Sequence, residues 1–131
     1  MAAAGAGRTI AREAQYVTTT SCLELRPLLA AAALALFDDR ETAGRLIGSS
    51  LSPAWPKRDL FGMLPLRRDE PYGVWVMVER ETGEVVGDVG LKPPPDEGEV
   101  EVDYSVVPDR RGLGYGAEAA RALSELARVR R

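Results

Sequence analysis

The sequence predicts an α+β domain, a mixed and mainly antiparallel sheet with flanking helices. Three stretches predict it. Residues 73–79 and 84–91 are apolar runs joined by Glu81-Thr82-Gly83, a tight turn whose glycine is free to take positive φ, so they pair as a hairpin. Residues 99–128 read as a strand, a glycine-rich turn and a helix. Residues 28–37 are a continuous apolar, alanine-rich run, too short for the roughly 20 residues that cross a bilayer and therefore a buried helix.

Taken in order, residues 1–19 are rich in Ala, Gly and Thr, with Arg8, Arg12 and Glu13 scattered among them. They lack the apolar core of a secretory signal and read as a disordered or loosely attached tail ahead of a domain over 20–131. Residues 23–28, Leu-Glu-Leu-Arg-Pro-Leu, alternate as a first strand. After the helix at 28–37, Asp38-Asp39 either stops it or caps the next one, which runs through Glu41, Ala43, Leu46 and Ile47 and ends near Gly48. Residues 49–68 hold Pro53, Trp55, Pro56, Phe61, Met63 and Leu64, and the two aromatic side chains suit a core. Past the hairpin, Pro93-Pro94-Pro95-Asp96-Glu97-Gly98 is a stiff loop leading into the last strand. The order is β, α, α, β, β, β, α, with no internal repeat and no domain linker.

The 99–128 unit carries the most chemistry. Val100, Val102, Tyr104 and Val106 alternate with Glu101, Asp103 and Ser105, giving a strand with unlike faces, and Pro108 ends its regular pairing. Gly112, Gly114 and Gly116 bring the backbone round a turn. Ala119, Ala120, Leu123, Leu126 and Ala127 then recur at helical spacing, with Glu118, Arg121, Glu125 and Arg128 off that stripe. A helix N-terminus offers unpaired N–H groups and about half a positive charge, and glycines let an anion approach them. Arg111 adds a cation beside the turn. On the glycines alone, an αβ connection that binds nothing stands level with a phosphate site. A P-loop is excluded, because Gly116-Ala117-Glu118 stands where Gly-Lys-Ser/Thr is needed. The dinucleotide pattern G-x-G-x-x-A fits Gly112, Gly114 and Ala117 literally, but four residues separate it from the strand and no acidic residue follows about 20 positions on.

The composition narrows the chemistry. A chain of 131 residues is one domain with a single core, and 45% hydrophobic with 28% charged residues is a soluble balance. A net charge of -3 argues against nucleic acid as partner, and the apolar pattern against a membrane. Cys22 is the one cysteine and there is no histidine, which excludes an internal disulfide, Ser-His or Cys-His catalysis and the usual zinc sites, so no metal is expected. Cys22 reads as a small buried or half-buried apolar residue rather than a nucleophile. Acid–base work falls to carboxylates, tyrosine, lysine, water or the substrate itself.

The third pattern, R-x-x-G-x-G/A, is matched by Arg111, Gly114 and Gly116. With the strand before it, Val-Pro, Arg-Arg-Gly-x-Gly-Tyr and a Glu-Ala helix, the run 100–119 resembles the acetyl-CoA-binding motif of the GNAT superfamily of N-acetyltransferases. Together with Leu-x-Leu-Arg-Pro at the first strand, it looks closest to the branch that includes the ribosomal-protein N-acetyltransferases. The resemblance implies a GNAT-like (acyl-CoA N-acyltransferase) sheet and covers about residues 23–128. A complete domain of that family continues with a fifth strand, another helix and a closing strand pair. The C-terminal strands are therefore expected to be missing, through truncation or because a second chain supplies them. One edge of the strand at 100–106 is then unpaired, and a homodimer is expected. The segment 49–68 walls the substrate cleft in the family, a second reading for Trp55 and Phe61.

The resemblance also assigns roles. Main-chain groups at Ser105, Val106 and Val107 would hold the pantetheine arm of acetyl-CoA. Amides of Gly112, Leu113, Gly114, Tyr115, Gly116 and Ala117 would hold its pyrophosphate, with Arg111 beside it. The reaction needs a neutral amine, a carbonyl about 3 Å from it, donors for the oxyanion and a proton for the thiolate. Glu101 stands where the family often places the acid that takes the amine proton, and Asp103, on the same side, is the second candidate; a solvated strand face is the alternative for both. The family's usual tyrosine for the thiolate lies beyond the fifth strand, and neither Tyr104 nor Tyr115 occupies that position. The implied protein is a cytoplasmic N-acetyltransferase moving an acetyl group to a primary amine, on a small molecule or a protein N-terminus. The alternative is a catalytically incomplete remnant or subunit with at most CoA binding.

Overall fold

The structure, a computed structural model, describes residues 17–57, 72–92 and 101–130. The tail at 1–16, Phe61, Met63 and Leu64, the three-proline loop and Val100 lie outside the described residues. The elements are β1 (Thr18–Thr19), β2 (Leu23–Pro27), α1 (Ala30–Asp38), α2 (Arg40–Ile47), β3 (Ser50–Leu51), β4 (Gly73–Glu79), β5 (Glu84–Lys92), β6 (Glu101–Val106), a 3-10 turn at Pro108–Arg110 and α3 (Tyr115–Arg130). The fold is GNAT-like, a mixed and mostly antiparallel sheet with three helices.

β5 organises the sheet. β4 pairs with one edge of it, antiparallel, and β2 and then β1 continue outward from β4. Its other edge is shared. β3 pairs in parallel with Glu84 and Val85, and β6 pairs antiparallel with residues 87–92. The register slips between Met77 and Val78, which leaves Val86 as the extra residue of a bulge between those two partners. The Val86 carbonyl accepts the Val107 amide at 2.9 Å, which fixes where the chain leaves β6.

Two of the expected elements are extended by short ones. Thr18–Thr19, inside the stretch read as a tail, and Ser50–Leu51 each add a two-residue strand. Asp39 does both of the things considered for it. Its amide donates to the Ala35 carbonyl at the end of α1, while its carboxylate accepts from the Glu41 and Thr42 amides at the start of α2.

The core gathers Leu23, Leu25, Leu28, Trp55, Trp75, Met77, Leu91 and Leu123. Full burial of one leucine such as Leu123 is worth about 1.5–3 kcal/mol. Trp55 is 1% exposed, and its indole nitrogen donates to Asp88 at 2.8 Å, so it packs in the core. Two expectations need correction. The run at 28–37 is not buried all round: Ala32, Ala33 and Leu36 join the core, but Leu34 is 67% and Phe37 56% exposed, because only one side of α1 is covered. Cys22 is exposed, since it sits in the bend that the Thr20 amide closes onto the Leu23 carbonyl at 2.8 Å.

Candidate active site

The chain leaves β6 through Val107 and Pro108, and the 3-10 turn is followed by two glycines in the left-handed region. Gly112 and Gly114 both have φ of 83°, which an L side chain rarely adopts, and a Cβ at either would point into open space. α3 starts at Tyr115, and its first backbone bond is the Glu118 amide to the Gly114 carbonyl at 3.0 Å. The amides of Gly114 to Ala117 therefore precede any intrahelical acceptor. Gly116 is bare for a different reason. A Cβ there would lie 2.0 Å from Cε1 of Tyr104, so the tyrosine ring, not a ligand, occupies that space.

These groups border a cleft of about 440 Å³. Of the residues expected to hold the cofactor, Ser105, Val106, Arg111, Gly112, Gly114, Tyr115, Gly116 and Ala117 line it. Val107, which is buried, and Leu113, 57% exposed, do not line it. Lys57, Tyr104 and Arg110 also line it and were not among the residues expected to hold the cofactor. Arg111 Nε donates to the Val106 carbonyl at 3.0 Å, which ties the turn to the end of the strand.

A network of side chains surrounds the buried carboxylate of Glu79. The Tyr115 hydroxyl donates to Glu79 at 2.6 Å, Arg110 Nε donates to both Glu79 oxygens at 3.0 and 3.2 Å, and the Thr82 hydroxyl donates at 2.7 Å. Arg110 also reaches Glu84 at 3.4 Å and Asp109 at 2.6 Å. Burial alone would raise the Glu79 pKa, but the hydrogen bonds from Tyr115, Thr82 and Arg110 outweigh it and hold the carboxyl below its ordinary 4.5. Burial first, and the hydrogen bond to Glu79 second, push the Tyr115 hydroxyl up. That hydroxyl is committed to Glu79 and is no proton donor for the cleft. One turn along α3, Glu118 accepts from the Thr20 hydroxyl and from the Cys22 amide at 2.8 Å, which pins the helix to the start of β2.

Glu101 and Asp103 lie toward the other end of β6, and neither lines the cleft. Both are exposed and share Lys92 across the strand pair, at 3.3 and 3.2 Å. Hydrogen bonds to Asp103 and then Glu101 raise the Lys92 pKa above its ordinary value, so the lysine stays charged at neutral pH. Among the described residues no group of three or more His, Cys, Asp and Glu side chains is placed to hold a metal, and no helix is long and apolar enough to cross a membrane.

Residues 23–130 match the family described as acetyltransferase (GNAT) domain. Over 86 residues, 59% of the chain, the sequence is 29% identical to the uncharacterized N-acetyltransferase YjdG of Bacillus subtilis (strain 168) and covers 51% of it. The chain thus spans about half the length of that curated relative. A solved structure named as a GnaT-family acetyltransferase from Bordetella pertussis aligns with a TM-score of 0.48 and 18% identity, over 88% of this chain and 74% of that one.

Proposed function

Because the chain belongs to the GNAT acetyltransferase family, we propose that it is an acetyl-CoA-dependent N-acetyltransferase acting on a primary amine. The observation that carries this reading is the turn at 112–117, with two left-handed glycines in open space and free amides at the start of α3, beside the cleft. These features fit a pyrophosphate group. The Gly114 to Ala117 amides would hold it, the Arg111 guanidinium would add charge, and the main chain at Ser105 to Val107 would hold the arm. Bound acetyl-CoA supplies an acyl thioester, whose transfer forms a C–N bond and breaks the C–S bond. Glu101 is the proposed acceptor of the amine proton once it parts from Lys92, with Asp103 as its stand-in.

Free-thiol release from acetyl-CoA, measured with peptides bearing a free N-terminus and with small-molecule amines, tests the reading. Amine-dependent release is expected, and Glu101→Gln should lower turnover at least about tenfold, with a smaller effect from Asp103→Asn. A preference for peptide N-termini would support the ribosomal-protein branch as the finer assignment. No release with any amine would leave the alternative of a CoA-binding remnant, which no observation here favours. Cytoplasmic action belongs to the same reading.

Among the described residues β6 has a neighbour, β5, on one side only. We propose that this open edge pairs with a second copy of the chain. Light scattering should then give a mass that rises with concentration toward twice the monomer, and a constant monomer mass would count against it.

A further inference from the structure

We propose that Glu79 is a positioning residue for the anion site at the glycine turn: its carboxylate ties down both ends of the turn from outside the cleft, so that affinity for the co-substrate depends on it. The proposal rests on the acetyltransferase reading above. Glu79 closes β4, is buried and does not line the cleft. Arg110 and Tyr115 do line it, and both are bonded to Glu79, the guanidinium at 3.0 and 3.2 Å and the hydroxyl at 2.6 Å. Between them lie only Arg111, Gly112, Leu113 and Gly114. Both glycines are left-handed, with a backbone freedom that other residue types lack. A turn of that kind presents its amides in one arrangement when its ends are held; with loose ends, the cost of ordering it opposes binding.

The charge at Glu79 sharpens the inference. A carboxylate one hydrogen bond away from the wall of an anion site repels the anion, so on charge alone Glu79 is a disadvantage there. Arg110 does not offset it as a ligand contact. Its guanidinium is engaged by Glu79, Glu84 and Asp109 and works as a strut of the turn. The Thr82 hydroxyl, at 2.7 Å, holds the Glu79 carboxylate from the hairpin side, which ties the strut to the sheet. Glu79→Gln therefore has opposite signs under the two accounts. Loss of the charge alone would tighten the binding of a polyanion. Release of the turn would weaken it, because glutamine has one acceptor oxygen where the carboxylate uses two. Tyr115→Phe removes one of the bonds and no charge, so on charge alone it changes nothing.

The test measures CoA and ADP affinity by calorimetry, and urea unfolding, for wild type, Glu79→Gln, Tyr115→Phe and Leu28→Ala, the last a core residue outside the cleft. ADP carries the two phosphates without the arm. Glu79→Gln and Tyr115→Phe should each weaken CoA and ADP alike, about three- to tenfold, the range for one hydrogen bond. In the thiol-release assay the loss should fall on the KM for acetyl-CoA and leave kcat nearly unchanged, because the network holds the turn and not the reacting atoms. Leu28→Ala should lower the unfolding midpoint and leave both affinities unchanged, which separates positioning from stability. Equal or tighter CoA binding in Glu79→Gln would overturn the proposal. So would unchanged affinity in Tyr115→Phe, which decides the matter should Glu79→Gln not fold. A loss for CoA without one for ADP, or the same loss in Leu28→Ala, would overturn it too. Wild type that binds neither CoA nor ADP would remove the acetyltransferase reading itself, and this proposal with it.

Discussion

Glu79→Ala is expected to lower the unfolding free energy by about 3 kcal/mol, the scale for breaking a buried, hydrogen-bonded charge pair from one side. Glu79 is 3% exposed and accepts from three side chains, two of them in the segment that builds the cleft. Its removal leaves the Tyr115 hydroxyl and the Arg110 guanidinium facing a hole. Urea unfolding checks the value, and an unchanged midpoint would show that the network is ornamental. The pH dependence has a definite sign. The folded Glu79 carboxyl titrates below its ordinary 4.5, so its contribution is complete above about that pH and is lost as pH falls through the lowered value. The gap between wild type and Glu79→Gln should therefore be constant near neutrality and narrow in acid.

Gly114→Val is expected to weaken CoA binding by about 2–3 kcal/mol, because its side chain enters the space next to the free amides. A β-branched residue is also strained at φ of 83°, at a cost to stability of about 1–3 kcal/mol. Gly83→Val is the matched control. Gly83 has φ of 75° and equally open surroundings, but it sits in the β4–β5 hairpin turn and does not line the cleft. It should lose stability to a similar extent and keep its CoA affinity. Calorimetry that finds Gly114→Val unimpaired would remove the pyrophosphate assignment.

The parts of this fold with local causes were legible in the sequence. The hairpin, the strand at 101–106 and the glycine turn each follow from alternation or from a residue type that permits one backbone shape. What was missed depends on distant partners. Nothing in Gly-Val-Trp-Val-Met-Val-Glu marks its last residue as buried, because Arg110 and Tyr115 arrive 31 and 36 positions later. Arg110 reads beside Arg111 as one more surface cation, yet it faces inward while Arg111 turns to the strand. β1 and β3 are two residues each, too short for any period to show. Trp55 has an aromatic's usual two readings, and its indole bond to Asp88, which no spacing announces, decides for the core. In the site the same division holds. The turn was read from its glycines, whereas the reason for Gly116 is a ring twelve residues earlier.

That ring has a bearing on how the sequence is free to drift. Positions 104 and 116 divide one volume between them: the tyrosine fills what a side chain on the helix would need. Neither position is then an independent site of variation. A larger residue at 116 demands a smaller one, or a ring turned outward, at 104, so a change at one alters what the other can be. A strand residue and a helix residue that both border the cleft thus behave, for the purpose of sequence change, as a single letter.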